Sequence, residues 1–150
     1  VVDHLERLVI ANHDYNALSE LDDDILLLEW DMAVAKEDLD LFEVRAAEHP
    51  ESVLVAPYRI YTPNGIWAHR DWEGDGPGAA GARPVLEGAP ICNLFGLGMI
   101  HLPRDLIRRF ISSGWASHFG DCEFSMWHYH HVSKEVPIDW AVRPVHLHWS

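Results

Sequence analysis

The run Asp22-Asp23-Asp24-Ile25-Leu26-Leu27-Leu28-Glu29-Trp30-Asp31 decides how the chain is read. Its four consecutive apolar residues suit a strand buried on both faces, as in a parallel sheet, better than a strand with one wet face. In open α/β sheets ligands bind beyond the carboxyl ends of the strands, which is where Glu29 and Asp31 stand. Carboxylates suit hard cations, and magnesium commonly takes one or two of them together with the phosphates of its substrate. Asp22, Asp23 and Asp24 read instead as the turn that enters the strand, since Asp is a common turn residue.

Outward from this strand, the periodicity alternates between helix and strand. Leu5, Leu8, Val9, Asn12 and Tyr15 recur at helical spacing, which predicts a helix over residues 1–19. A second helix is predicted over residues 35–49, with Leu39, Phe42 and Ala46 on one face and Pro50 as its stop. Residues 53–60 are rich in Val, Ile and Tyr and read as a strand. Strand, helix and strand together imply a right-handed parallel crossover, hence an α/β fold with a mostly parallel sheet flanked by helices.

From about residue 62 to residue 90 glycine and proline accumulate, with Asp71, Glu73 and Asp75 among them, and a flexible loop or lid is expected. Residues 91–102 form an apolar strand interrupted by Gly96 and Gly98, and glycine within a strand often marks the close approach of a ligand or another backbone. A third glycine and a following helix would be needed for a dinucleotide fingerprint, so that reading is rejected. Pro103 opens a helix that buries Leu106, Ile107 and Phe110 and ends near Ser112 and Gly114. Asp121 and Glu123 begin a further helix carrying Phe124, Trp127 and His131 on one face, with Asp121 suited to the N-cap. Residues 136–150 alternate toward one or two strands, and in an extended segment His146 and His148 share a face.

The whole chain of 150 residues, 48% hydrophobic, is the size of a single domain with its own core. Acidic residues number 24 against 11 basic ones, and the resulting charge of −13 disfavours direct nucleic-acid binding, which depends on clustered Lys and Arg. Any phosphate ligand would need a metal ion between it and the protein. The two cysteines, Cys92 and Cys122, have neither metal-site spacing nor the density of a secreted scaffold, so a reducing, cytoplasmic setting is expected. A membrane span is not expected, because the apolar runs are too short.

Four pieces, Asp-Ile-Leu-Leu-Leu-Glu-Trp-Asp, Asn-Leu-Phe-Gly-Leu-Gly-Met-Ile, Gly-Asp-Cys-Glu-Phe-Ser and Val-His-Leu-His-Trp, resemble in order and spacing the GT-A fold glycosyltransferases, family 2-like and including phage-encoded members. The resemblance extends over about residues 12–149 and implies a partial or reduced form of that fold, starting after the family's first strand-helix-strand unit. It implies that Glu29 and Asp31 bind a divalent cation, Mn2+ or Mg2+, which bridges the diphosphate of a nucleotide-diphosphate sugar donor. Gly96 and Gly98 then lie beside the donor and the sugar or protein acceptor. Asp121, with Glu123 as the alternative, takes the position of the general base, and His146 or His148 completes the metal shell. A divalent cation would stabilise the departing diphosphate, and a carboxylate near the acceptor hydroxyl would take its proton.

Two other functions compete. A metal-dependent hydrolase would use His128, His130, His131, His146 and His148 with Asp121 or Glu123, although the first three fall at spacings that chelate poorly on a helix. A non-catalytic sugar-binding or assembly protein would use the tryptophans to stack on sugars.

Overall fold

A computed structural model describes residues 22–60, 65–76, 78–115 and 121–147, with the side chain of Asp121 outside that set. The helix predicted over residues 1–19 lies outside the described residues, as does His148. The central element is a three-stranded sheet of β1 (Ile25–Leu28), β9 (Met99–Leu102) and β3 (Leu54–Val55), in the order β1-β9-β3. Ile25 faces Leu102 and Leu28 faces Met99, while Leu54 faces His101 on the other side. Every residue of β9 is buried, so β9 and not β1 is the middle strand.

Both of these pairings are antiparallel, which corrects the expected mostly parallel sheet. The remaining ladders are two-stranded and also antiparallel: β2 (Met32–Ala33) with β11 (Val145–His146), β4 (Arg59–Ile60) with β5 (Ile66–Trp67), β6 (Arg70–Asp71) with β7 (Arg83–Pro84), and β8 (Ile91–Cys92) with β10 (Val136–Pro137). Parallel pairing among the described residues is confined to an isolated bridge between Val55 and Ile138. β1 and β3 do run the same way around a helix, but β9 is inserted between them, and its direction reverses the pairing. The apolar run is silent on this point, because a strand covered on both faces has the same composition whichever way its neighbour runs.

The covering layers explain that composition. Ile25, Leu27, Ile100 and Leu102 pack with Leu106, Ile107 and Phe110 of α2 (Arg104–Ser113) and with Phe124 and Trp127 of α3 (Asp121–His131). Leu28 and Met99 meet Leu39 and Phe42 of α1 (Lys36–Glu48) on the opposite side. Helix α1 buries the face expected from its periodicity, Leu39, Phe42 and Ala46. Pro103 occupies the N-cap of α2, and Gly114 ends that helix at a φ of 66°, a left-handed conformation that glycine adopts without penalty. The acidic triplet serves this junction, since Asp24 Oδ1 accepts the Arg104 N–H at 3.0 Å.

Two predicted strands are each divided. Residues 53–60 split at Pro57, which has no N–H to give to a ladder: Ala56 still donates to the Met99 carbonyl, whereas Tyr58 is paired with Ala68 in the next hairpin. Residues 91–102 split into β8 and β9, leaving Gly96 and Gly98 in the connection. Within the glycine-rich segment, β5, β6 and β7 form, and His69, Trp72 and Val85 are buried. Cys92 and Cys122 are free thiols, the first buried. Among the described residues no helix is long and apolar enough to cross a membrane.

Two imidazoles are held in this interior, His69 and His128. His69 Nε2 lies 2.7 Å from the Ala56 carbonyl and Nδ1 is 3.3 Å from the Gly96 nitrogen, which assigns a neutral ring donating at Nε2 and accepting at Nδ1. Burial lowers its pKa to about 4, with Arg70 adding to the effect against the Ala56 hydrogen bond. His128 is packed against Phe95 and Phe124, and burial lowers it likewise to about 4. Both rings must stay neutral in the fold, whereas the unfolded chain takes up protons near pH 6.5. Their contribution is therefore complete above about pH 6.5 and declines as pH falls toward 4, by up to about 3 kcal/mol for each ring. In urea titrations, His69→Gln, which keeps a donor and an acceptor, should flatten this decline. Superimposable pH profiles of stability for wild type and variant would contradict the assignment.

Candidate functional site

The acidic end of β1 is built into a turn. The Glu29 N–H donates to the Gly98 carbonyl at 3.0 Å, and the Met32 N–H donates to the Glu29 carbonyl at 3.0 Å, leaving Trp30 and Asp31 as the two central residues. The chain then enters β2, whose partner is β11 near the other end of the chain, with Met32 opposite His146. One further bond, from the Leu147 N–H to the Asp31 carbonyl at 2.7 Å, extends this ladder to the acidic residue itself.

The consequence is that His146 Nε2 stands 3.0 Å from Asp31 Oδ2, with each side chain only 13% exposed. The other carboxylate oxygen, Asp31 Oδ1, is buried and makes no hydrogen bond within the described residues. A carboxylate oxygen removed from water without a donor costs about 1–3 kcal/mol or more, and a cation would offset that cost.

The pair suits a divalent ion in donor type and in spacing. A carboxylate oxygen and an imidazole nitrogen are both accepted by manganese. Ligands on adjacent corners of an octahedron at roughly 2.1 Å from the metal are about 3 Å apart, which matches the 3.0 Å separation of this pair. No group of three His, Cys, Asp or Glu able to hold a metal occurs among the described residues, so Asp31 and His146 would supply two positions and a ligand's oxygens or water the others. Glu29 is half-buried beside them and fixes the turn through its backbone.

Gly96 and Gly98 stand against Tyr58, which the sequence places near the end of the strand expected over residues 53–60 but to which it gives no role at the site. The Tyr58 side chain lies where their side chains would be: a Cβ on Gly98 would fall 2.7 Å from the Tyr58 ring, and one on Gly96 would meet the Tyr58 hydroxyl. The Gly98 N–H donates to that hydroxyl at 3.2 Å. The tyrosine ring is 6.0 Å from the ring of His146 and 5.5 Å, edge-on, from that of His69. The glycines thus admit Tyr58, whose ring packs near that of His146. Neither periodicity nor spacing marks Tyr58 or His69, because both sit at a break after Pro57 or in the glycine-rich segment, where no repeating pattern exists.

The remaining expected residues are dispersed or lie outside the description. Asp121 is the first residue of α3, and its side chain is outside the described set; Glu123 is half-buried on the same helix. The C-terminal histidines of α3 separate: His128 is buried, His130 Nε2 is 3.3 Å from the Gly76 carbonyl, and His131 is exposed beside Trp115. Together they give the hydrolase reading no three-ligand centre among the described residues.

No protein-family model matches the chain, and comparison with curated proteins finds no match.

The close packing of Tyr58 on Gly98 can be tested by substitution. Gly98→Ala should cost about 1–3 kcal/mol, the range for overpacking, measured by urea denaturation. In a Tyr58→Ala background the same change should cost far less, because its obstacle is gone. An equal cost in both backgrounds would contradict the wedge.

Proposed function

We propose that the protein is a metal-dependent glycosyltransferase, moving a sugar from a nucleotide-diphosphate sugar to an acceptor hydroxyl on a sugar or a protein. The observation that carries this reading is the convergence of Asp31 with His146, two residues from opposite parts of the chain, around a buried carboxylate oxygen lacking a hydrogen-bond donor. The order of the four motifs described above supports it as a resemblance.

Asp31 and His146 would hold Mn2+ or Mg2+. When bound, the ion neutralises the charge that gathers on the departing diphosphate. The protein's charge of −13 gives that requirement weight, since few basic groups are available to do the same work. In the transfer, the acceptor oxygen bonds to the anomeric carbon as the bond from that carbon to the diphosphate oxygen breaks. The bonding pair leaves with the diphosphate, and the acceptor proton passes to a carboxylate. The resemblance alone assigns that proton to Asp121, or to Glu123 in its place; neither is among the residues brought to the Asp31–His146 pair.

Tyr58 and the β2–β11 ladder keep His146 facing Asp31, and His146 must present a neutral Nε2 lone pair to a metal.

Calorimetric titration with uridine and guanosine diphosphates, in Mn2+ and again in EDTA, tests the reading. Binding is expected only with the metal, and Asp31→Ala should weaken it by about 100-fold or more, in keeping with the dependence of such sites on ligand charge. His146→Ala should act in the same direction. Binding that survives EDTA or Asp31→Ala would contradict the proposal. Metal-dependent binding with neither hydrolysis nor transfer of a sugar would make the protein a sugar-nucleotide binder instead.

A further inference from the structure

A cavity of about 200 Å3 lies between the C-terminal end of α1 and the segment that follows β10. Asp139 stands at its edge, 7% exposed, and is fixed on two sides: its N–H donates to the Val55 carbonyl at 2.9 Å, and its Oδ1 accepts the Ala141 N–H at 3.1 Å. Its Oδ2 is buried, and Arg45 Nε stands 3.2 Å from it without the geometry of a hydrogen bond. The Arg45 side chain is 45% exposed and lines the same cavity. A guanidinium held through Nε keeps its two terminal nitrogens for a second carboxylate, in the fork that suits bidentate contact. Buried Val53 and Ile138 supply an apolar wall, and Glu48 and His49 stand at the end of the helix. That end carries the negative pole of the helix, which favours a cation, as the Glu48 carboxylate does.

We propose that this cavity binds a free amino acid with an aliphatic side chain. Its carboxylate takes the terminal nitrogens of Arg45, its ammonium faces Glu48 and the helix end, and its side chain lies on Val53 and Ile138. The charges select the zwitterion. A bare carboxylate would be repelled by Glu48 and the helix pole, whereas a simple amine would leave the Arg45 fork unused. Size sets a further limit, because pockets for drug-sized ligands start at about 300 Å3 and this one takes a smaller molecule. Asp139 is a positioning residue, acting on the ligand through Arg45. None of these residues belongs to the Asp31–His146 pair, so the inference is independent of the glycosyltransferase reading.

Calorimetric titration of the full chain with leucine and valine tests the site, beside isocaproate, which lacks the ammonium, and isoamylamine, which lacks the carboxylate. Leucine should bind at millimolar concentration or below, and each analogue should bind at least about tenfold more weakly. Arg45→Lys, which keeps the charge but loses the fork, should narrow the preference for leucine over isoamylamine by about tenfold. Asp139→Asn should narrow the same preference, a ratio that a loss of stability alone does not move, with thermal unfolding to confirm that each variant is folded. Should either variant fail to fold, the analogues still decide the matter on wild type. No binding of leucine or valine at about 10 mM would overturn the proposal. Isocaproate bound as tightly as leucine would make this a carboxylate site, and isoamylamine bound as tightly would make it an amine site; either result overturns it. A preference unchanged in Arg45→Lys would overturn it as well.

Discussion

The contact of Asp31 with His146 is the constraint around which the rest of the site is arranged. It requires the acidic turn after β1 and the strand β11 to be brought side by side, which the β2–β11 ladder accomplishes. It also requires the turn itself to be fixed, and there the burden falls on Gly98, whose carbonyl receives the Glu29 N–H. One segment, the connection between β8 and β9, thus supports both sides of the pair: Gly98 anchors the turn, and together Gly96 and Gly98 make room for the tyrosine packed near His146.

Behind this pair the packing is dense and polar groups are paired selectively. His69 is held between the Ala56 carbonyl and the Gly96 N–H, and Tyr58 receives the Gly98 N–H. Asp31 Oδ1 differs from these neighbours in having no hydrogen bond within the described residues. Arg104 Nε, His128 Nδ1 and Asp139 Oδ2 are in the same condition elsewhere, so it is the placement of Asp31 beside His146, and not the missing hydrogen bond alone, that sets Asp31 Oδ1 apart. The metal reading rests on that placement and on the identity of the two residues.

Helices were the most legible part of the sequence. Leu39, Phe42 and Ala46 in α1, and Leu106, Ile107 and Phe110 in α2, are buried as their spacing implies, because a helix covering one side of a sheet must carry an apolar stripe. Strand position was legible at Ile25–Leu28, but strand direction was not, since helices cover both faces of the sheet and remove the alternation that would distinguish the cases. The breaks at Pro57 and at Gly96 and Gly98 were visible as residues, yet their effect depends on partners distant in the chain. The position of Asp31 just after an apolar strand was legible. The contact of Asp31 with His146 depends on the register of β11 against β2, a pairing of distant segments that no local pattern reveals, and His148 lies outside the described residues. Tyr58 carried no local signal, as its role exists only once the glycines are folded against it.

The central claim is that Asp31 and His146 together form a divalent cation site, and the most direct measurement is anomalous X-ray diffraction at the manganese edge from crystals grown with Mn2+ and a nucleoside diphosphate. The account expects a single strong peak within about 2.0–2.3 Å of both Asp31 and His146 Nε2, its remaining ligands supplied by diphosphate oxygens and water. A manganese peak elsewhere, with the 3.0 Å contact between Asp31 and His146 intact, would contradict it.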